Sequence, residues 1–118
     1  MTQIDIDKAR KELIESYPGS RVKIAGDNGE MVAEISPEFA VAVIGRSQPH
    51  FHLKTREVYT VLRGALHVAC GGQGYVLRKG ESITIDPGQI HFARATDDPA
   101  WIEVKSAPPW SPDDYFVL

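Results

Sequence analysis

From Ile6 to Tyr17 the apolar residues Ile6, Ala9, Leu13, Ile14 and Tyr17 recur at helical spacing. Asp5 or Asp7 offers an N-cap and Pro18-Gly19 ends the pattern, so one short helix is predicted over about residues 5–17. Beyond it the period changes to two, in RVKIAG, EMVAEIS, FAVAVIG, EVYTVLRG, LHVAC, YVLR, ESITID, HFARAT and AWIEVKS. Each stretch predicts a short strand. Turn chemistry separates them at Asp27-Asn28-Gly29, Ser36-Pro37, Gly71-Gly72-Gln73-Gly74, Lys79-Gly80, Pro87-Gly88 and Asp97-Asp98-Pro99. Many short strands with one helix predict an all-β antiparallel sandwich or barrel. The tail, residues 107–118, carries Pro108, Pro109 and Pro112 yet ends in Tyr115, Phe116, Val117 and Leu118. Those last residues are expected to dock on an edge strand or on a partner subunit.

Composition narrows this picture. A chain of 118 residues, 42% hydrophobic and 25% charged, suits a single domain spanning 1–118 with one compact core. A net charge of -3 and a pI near 5.8 argue against reliance on phosphate-backbone attraction, so no nucleic-acid partner is expected. Cys70 is the only cysteine, which excludes an intrachain disulfide and fits a reducing, cytoplasmic location. The opening MTQIDIDKARKE shows no export signal, and the longest apolar run, FAVAVIG, is far short of the roughly 20 residues that cross a bilayer. The expectation is a soluble protein without a membrane partner.

The chemistry concentrates in Pro49 to Tyr59. Residues two apart on a strand share a face and lie roughly 7 Å apart, so His50 and His52 converge. Four residues separate His52 from Glu57, a common hairpin-loop length, which predicts Glu57 across from His52 and Tyr59 across from His50. Farther on, Gly80 opens ESITI, Asp86-Pro87-Gly88 turns the chain, and His91 begins another strand, where it can add a fourth ligand. Imidazoles with a carboxylate are the donor set of a divalent first-row metal. A lone His-x-His pair is often a solvated strand face. Four polar groups aimed into a small barrel are another matter, because they cost several kcal/mol if nothing compensates them. The alternative is a polar, water-filled cavity that holds no metal.

These residues resemble the motifs of the cupin superfamily. Its first motif reads roughly Gly, five residues, His-x-His, three or four residues, Glu, six residues, Gly. Gly45, His50, His52, Glu57 and Gly64 follow it with one residue fewer after the first glycine. The second reads roughly Gly, five residues, Pro-x-Gly, two residues, His. Gly80, Gly88 and His91 fall in register, while Asp86 stands where the first proline is usual and Pro87 lies beside it. The fifteen residues between Gly64 and Gly80 are similar to the short spacing of compact microbial cupins. The resemblance covers about residues 30–105. It implies a double-stranded β-helix (jelly-roll) barrel with a short N-terminal helix, one divalent metal (Fe, Mn, Ni or Zn) inside, and homodimers as the common assembly.

Other residues admit two readings. Tyr59 has the parity to line the cavity as a catalytic hydrogen-bond or proton donor, or it packs in the core. His67 is expected on the surface or an interface, and Cys70 in the core. Arg46, Lys54, Arg56 and Arg94 either give the cavity mouth a positive charge or are exposed loop charges. Trp101 and Trp110 either floor a sugar-binding cavity or pack at an edge, and edge packing is the expectation.

For function, four protein ligands saturate tetrahedral zinc, whereas six-coordinate iron, manganese or nickel keeps two positions open. Through EVYTVLRG and IDPGQIHFA the chain most resembles phosphomannose-isomerase-like cupins, which implies isomerisation or epimerisation of a small oxygenated metabolite. Two alternatives stand beside this: a cupin dioxygenase, and a non-catalytic small-molecule binding or sensing module.

Overall fold

The computed structural model describes residues 4–26, 28–96 and 98–118. Asp27 and Asp97, each part of an anticipated turn, and the first three residues of the segment read for an export signal lie outside the described residues. The helix α1 spans Ile6–Ser16, and the Asp5 side chain accepts a hydrogen bond from the Lys8 amide at 3.1 Å as its N-cap. Its Ala9 and Leu13 are buried.

Nine of the strands coincide with the alternating stretches of sequence: β1 Arg21–Ala25, β2 Glu30–Ser36, β3 Phe39–Ile44, β5 Arg56–Arg63, β6 Ala65–Cys70, β7 Gln73–Arg78, β8 Ser82–Ile85, β9 His91–Ala95 and β10 Ala100–Ala107. Two further strands, β4 His50–Phe51 and β11 Phe116–Val117, hold two residues each. All pair antiparallel, in a six-stranded sheet ordered β1-β2-β3-β10-β5-β8 and a five-stranded sheet ordered β11-β4-β9-β6-β7. Two facing antiparallel sheets of this size form the expected jelly-roll barrel.

The six-stranded sheet is apolar on both faces because it separates two cores. Ile44, Tyr59, Val61, Leu66, Val68, Ile85 and Ile102 fill the barrel between the sheets. On the outer face Met31, Ala33, Val41, Val43 and Trp101 pack against Ala9 and Leu13 of α1. Burial of each large aliphatic side chain contributes about 1.5–3 kcal/mol. Parity then follows for β2: with Met31 and Ala33 turned to the helix, Glu30, Val32 and Glu34 face a cavity at one end of the barrel.

The hairpin expected between His52 and Glu57 does not form. β4 pairs with β9 and β11, whereas β5 pairs with β10 and β8, so residues 52–55 carry the chain from one sheet to the other. Glu57 lies in register with Ser106 and Ile85, not with His52, and Tyr59 with Val104 and Ile83, not with His50. A four-residue connection satisfies a hairpin and a sheet crossing equally well, and the length alone does not choose between them.

The crossing is held from two sides. The Asp114 carboxylate accepts hydrogen bonds from the amides of Leu53, Lys54 and Thr55 at 2.8 to 3.2 Å. Gly88, at φ +84 in the turn before β9, donates its amide to the His52 carbonyl at 2.6 Å. β11 of the tail extends the sheet beside β4, and the Phe51 and Phe116 rings stack with centroids 5.2 Å apart.

Candidate metal centre

Three elements bring the donor atoms together. β4 and the crossing after it carry His50 and His52, β5 carries Glu57 and β9 carries His91, which is in register with His50. One ligand atom from each lies within 4.8 Å of the others, and all four side chains are buried. That is the scale of a single coordination sphere, whose bonds are about 2.0 to 2.2 Å.

Each imidazole is oriented through its other nitrogen. His50 Nδ1 lies 2.6 Å from the Gln48 carbonyl, His52 Nδ1 2.7 Å from the Asp114 carbonyl and His91 Nδ1 2.9 Å from the Gln89 carbonyl. A carbonyl only accepts, so Nδ1 carries the proton and Nε2 presents its lone pair in the neutral ring. This is how ligand histidines are held ready for a metal. The buried Nε2 atoms of His52 and His91 make no hydrogen bond: each lone pair faces only the Glu57 carboxylate, acceptor against acceptor, an arrangement that a proton or a cation between them relieves. The donor set and these orphaned nitrogens fit a divalent ion.

Electrostatics in the absence of an ion prepare Glu57 and His50 for a metal, while His52 is drawn toward the protonated form that a metal would displace. His52 Nε2 and His91 Nε2 lie 3.2 and 3.4 Å from Glu57 Oε1. Burial alone would raise the Glu57 carboxyl, but the two neighbouring imidazoles outweigh it and hold it at about 2. Burial would likewise lower His52, yet Glu57 and Asp114 raise it. His50 is held at about 4, first by burial and then by the charge of His91, and is neutral at pH 7. Glu57 is thus ionised and His50 neutral where a metal requires them so.

The group opens on a cavity of about 380 Å³. Tyr59 lines it with its hydroxyl 3.5 Å from Glu57 Oε1. Burial, then the charges of Glu57 and Glu30, raise that phenol well above its ordinary range, so it stays protonated and acts as a donor. Trp110 is not merely packed at an edge: it lines the cavity with Lys23 Nζ 4.4 Å from its ring centroid, and Lys23 pairs with Glu34 at 3.4 Å. Trp101 sits in the outer core. Arg46, Lys54, Arg56 and Arg94 line no part of this cavity, and Lys23 is the cation that does. Arg56 instead pairs with Asp86 at 2.8 Å on the surface. His67 is half-buried on the outer face of its sheet, and Cys70 is buried inside.

Three contributors escaped the sequence reading. Asp114 acts across some sixty residues of chain, which no local pattern registers. Gln89 both accepts the Asp86 amide at 2.9 Å and orients His91. Glu30 was legible only as a strand residue, because the sequence pattern does not say which face of β2 the helix covers.

The comparisons with known proteins agree on the architecture. Residues 38–103 match the family described as the cupin domain. No curated protein matches the sequence. KdgF from Halomonas sp. is similar in structure, with a TM-score of 0.65 and 17% identity over 79% of this chain and 89% of that one. Streptomyces Pac13, described as a nucleoside dehydratase, gives a TM-score of 0.68 and 15% identity over 86% and 87%. A mutant of Bacillus subtilis oxalate decarboxylase OxdC gives 0.69 and 18% identity over 86% of this chain and 31% of that one. At these identities the likeness is one of fold. Among the described residues no helix is long and apolar enough to cross a membrane.

Proposed function

This chain belongs to the cupin domain family, and we propose that it binds one divalent metal through His50, His52, Glu57 and His91 and isomerises or epimerises a small hydroxy-carbonyl metabolite beside it. The observation that carries the metal is the convergence of four buried donor atoms within 4.8 Å, with two imidazole lone pairs turned on one carboxylate and no hydrogen bond between them. A bound divalent ion there supplies Lewis acidity toward adjacent oxygens of a substrate. Three neutral imidazoles and one carboxylate leave it a net positive charge of about one, which favours oxygen donors.

The reaction class rests on what surrounds the group. Pac13 is a nucleoside dehydratase and OxdC an oxalate decarboxylase, so the shared barrel does not select a reaction. The cavity of about 380 Å³ suits a small metabolite. Tyr59 lines the cavity and stays protonated, which supports its hydroxyl as a donor to a substrate oxygen, and Trp110 adds an aromatic ring to the cavity wall.

Metal analysis of protein purified without chelator is expected to give close to one equivalent of iron, manganese, nickel or zinc. Less than a tenth of an equivalent, with no uptake of added metal, overturns the metal reading. With metal present, solvent deuterium entering a sugar without oxygen uptake supports isomerisation. Oxygen consumption with diols or thiols would assign a dioxygenase instead, and neither reaction across both panels would leave a binding module.

A further inference from the structure

Glu30 opens β2 on the wall of the cavity that His50, His52 and Glu57 of the four-donor group also line. It is not part of that group. Among the described residues its carboxylate has no hydrogen-bond or ion-pair partner, in contrast to Glu34 on the same face, which pairs with Lys23 and Arg21 at 3.4 and 4.0 Å. A carboxylate on the wall of a cavity, with no side chain committed to it among the described residues, is the chemical form of a general base.

The other ionisable groups of the cavity are committed elsewhere. Glu57 is engaged by two imidazoles. His50, His52 and His91 spend Nδ1 on backbone carbonyls and turn Nε2 to the centre. Tyr59 and Tyr115 both have their phenols raised, first by burial, and neither ionises near neutrality. Lys23 is paired with Glu34.

We infer that Glu30 is the proton carrier of this site: with a hydroxy-carbonyl compound in the cavity, its carboxylate takes the proton from the carbon beside the carbonyl and delivers it to the carbonyl carbon. The inference rests on the isomerase or epimerase reading above. The C–H bond breaks, its electron pair becomes the carbon–carbon double bond of an enediolate, and the carbonyl π pair moves onto oxygen. The proton resides on a Glu30 oxygen. Its delivery to the former carbonyl carbon, while the neighbouring hydroxyl proton passes to the former carbonyl oxygen, completes an aldose–ketose isomerisation with no oxidant or reductant. Burial, then the charge of Glu57, pushes the Glu30 carboxyl up to about 7, so base and acid forms are both populated near neutral pH.

The test compares wild type with Glu30→Gln, each loaded with manganese or zinc, on glucose, fructose, glucuronate and dihydroxyacetone in deuterated water. Expected are equal metal content in both proteins, deuterium next to the carbonyl with wild type, and exchange at least about 100-fold slower in E30Q. Exchange within threefold of wild type overturns Glu30 alone. No exchange by metal-loaded wild type with any probe overturns the isomerase reading and this inference with it. A readout independent of turnover is the carboxyl carbon-13 signal that E30Q removes. Its midpoint is expected near 7 without metal and lower after zinc loading, because a cation in the shared cavity favours the carboxylate. A midpoint in the ordinary carboxylate range that zinc does not move counts against a place for Glu30 at the reacting end.

Discussion

Two walls of one cavity treat a glutamate in opposite ways. On the wall made by β4, β5 and β9, Glu57 lies within 3.2 and 3.4 Å of imidazole nitrogens and its carboxyl is drawn down to about 2. On the wall made by β2, Glu30 has no such neighbour, and burial followed by the charge of Glu57 pushes it up to about 7. Burial opposes ionisation on both walls, so partners decide the outcome. One carboxylate is thereby kept permanently ionised, as a metal ligand must be, and the other exchanges protons at neutral pH, as an acid or base must.

The largest effect expected is on the partnered wall. Glu57→Gln removes the only anionic donor of the group while keeping its volume, and metal affinity is expected to fall at least about 100-fold, beyond the 10- to 100-fold typical of losing a group that only orients a ligand. Competition with a chelating dye measures this, and circular dichroism shows whether the barrel persists. An unchanged affinity would remove Glu57 from the ligand set. The same substitution sharpens the comparison across the cavity: without the charge of Glu57, the Glu30 carboxyl is expected to titrate lower than about 7.

Next comes Asp114, which holds the partnered wall in place without facing the centre. Its carboxylate ties down the amides of Leu53, Lys54 and Thr55, and its carbonyl orients His52. Asp114→Ala is expected to weaken metal binding about 10- to 100-fold and to lower Tm. Burial would raise this carboxyl, but those amide bonds outweigh it and leave it below 3.8. A depressed carboxyl contributes stability that is present above its unfolded value and lost as pH falls through the folded one. The Tm gap between wild type and D114A should therefore hold at pH 7 and close below about pH 4. A gap constant with pH would show that the amide bonds do not depend on the charge.

On the unpartnered wall the sign reverses. A folded value of about 7 against an ordinary 4.5 means that the folded chain holds a proton the unfolded chain has released between those two values. Stability associated with Glu30 is present below about pH 4.5 and lost as pH rises to about 7. Glu30→Gln is expected to stabilise the metal-free protein by on the order of 1–3 kcal/mol at pH 8 and to change little at pH 4. Urea titrations at the two pH values check this. Destabilisation at pH 8 would mean that the carboxylate has a partner in solution.

How much of this was legible beforehand divides along the same physical line. The nine longer strands and α1 are written in local alternation and caps, whereas the gathering of His50, His52, Glu57 and His91 was legible through the family motif, since the hairpin that the spacing predicted does not form. β4 and β11 are too short for periodicity to register, and the partner sheet of β5 is not encoded by loop length. EMVAEIS has apolar residues on both parities, and only α1 lying over Met31 and Ala33 turns Glu30 inward. The role of Asp114 depends on contacts 59 to 62 residues away in sequence. Chemistry carried by one segment was readable; chemistry that depends on which face another element covers was not.

The smallest effect separates two ways of fastening the tail. β11 pairs with β4 beside the histidines, and Phe116 stacks on Phe51 at 5.2 Å, but Phe116 is 37% exposed. A partly exposed aromatic pair contributes about 0.5–1 kcal/mol, and the strand bonds of β11 do not need the ring. Asp114 lies before β11, and its hydrogen bonds to residues 53–55 make no use of Phe116. Phe116→Ala is therefore expected to cost about 0.5–1 kcal/mol in urea titration and to leave metal affinity within threefold of wild type. A loss of affinity as large as that of D114A would instead place the orientation of His52 under the control of the terminal strand, and the partnered wall would extend to the end of the chain.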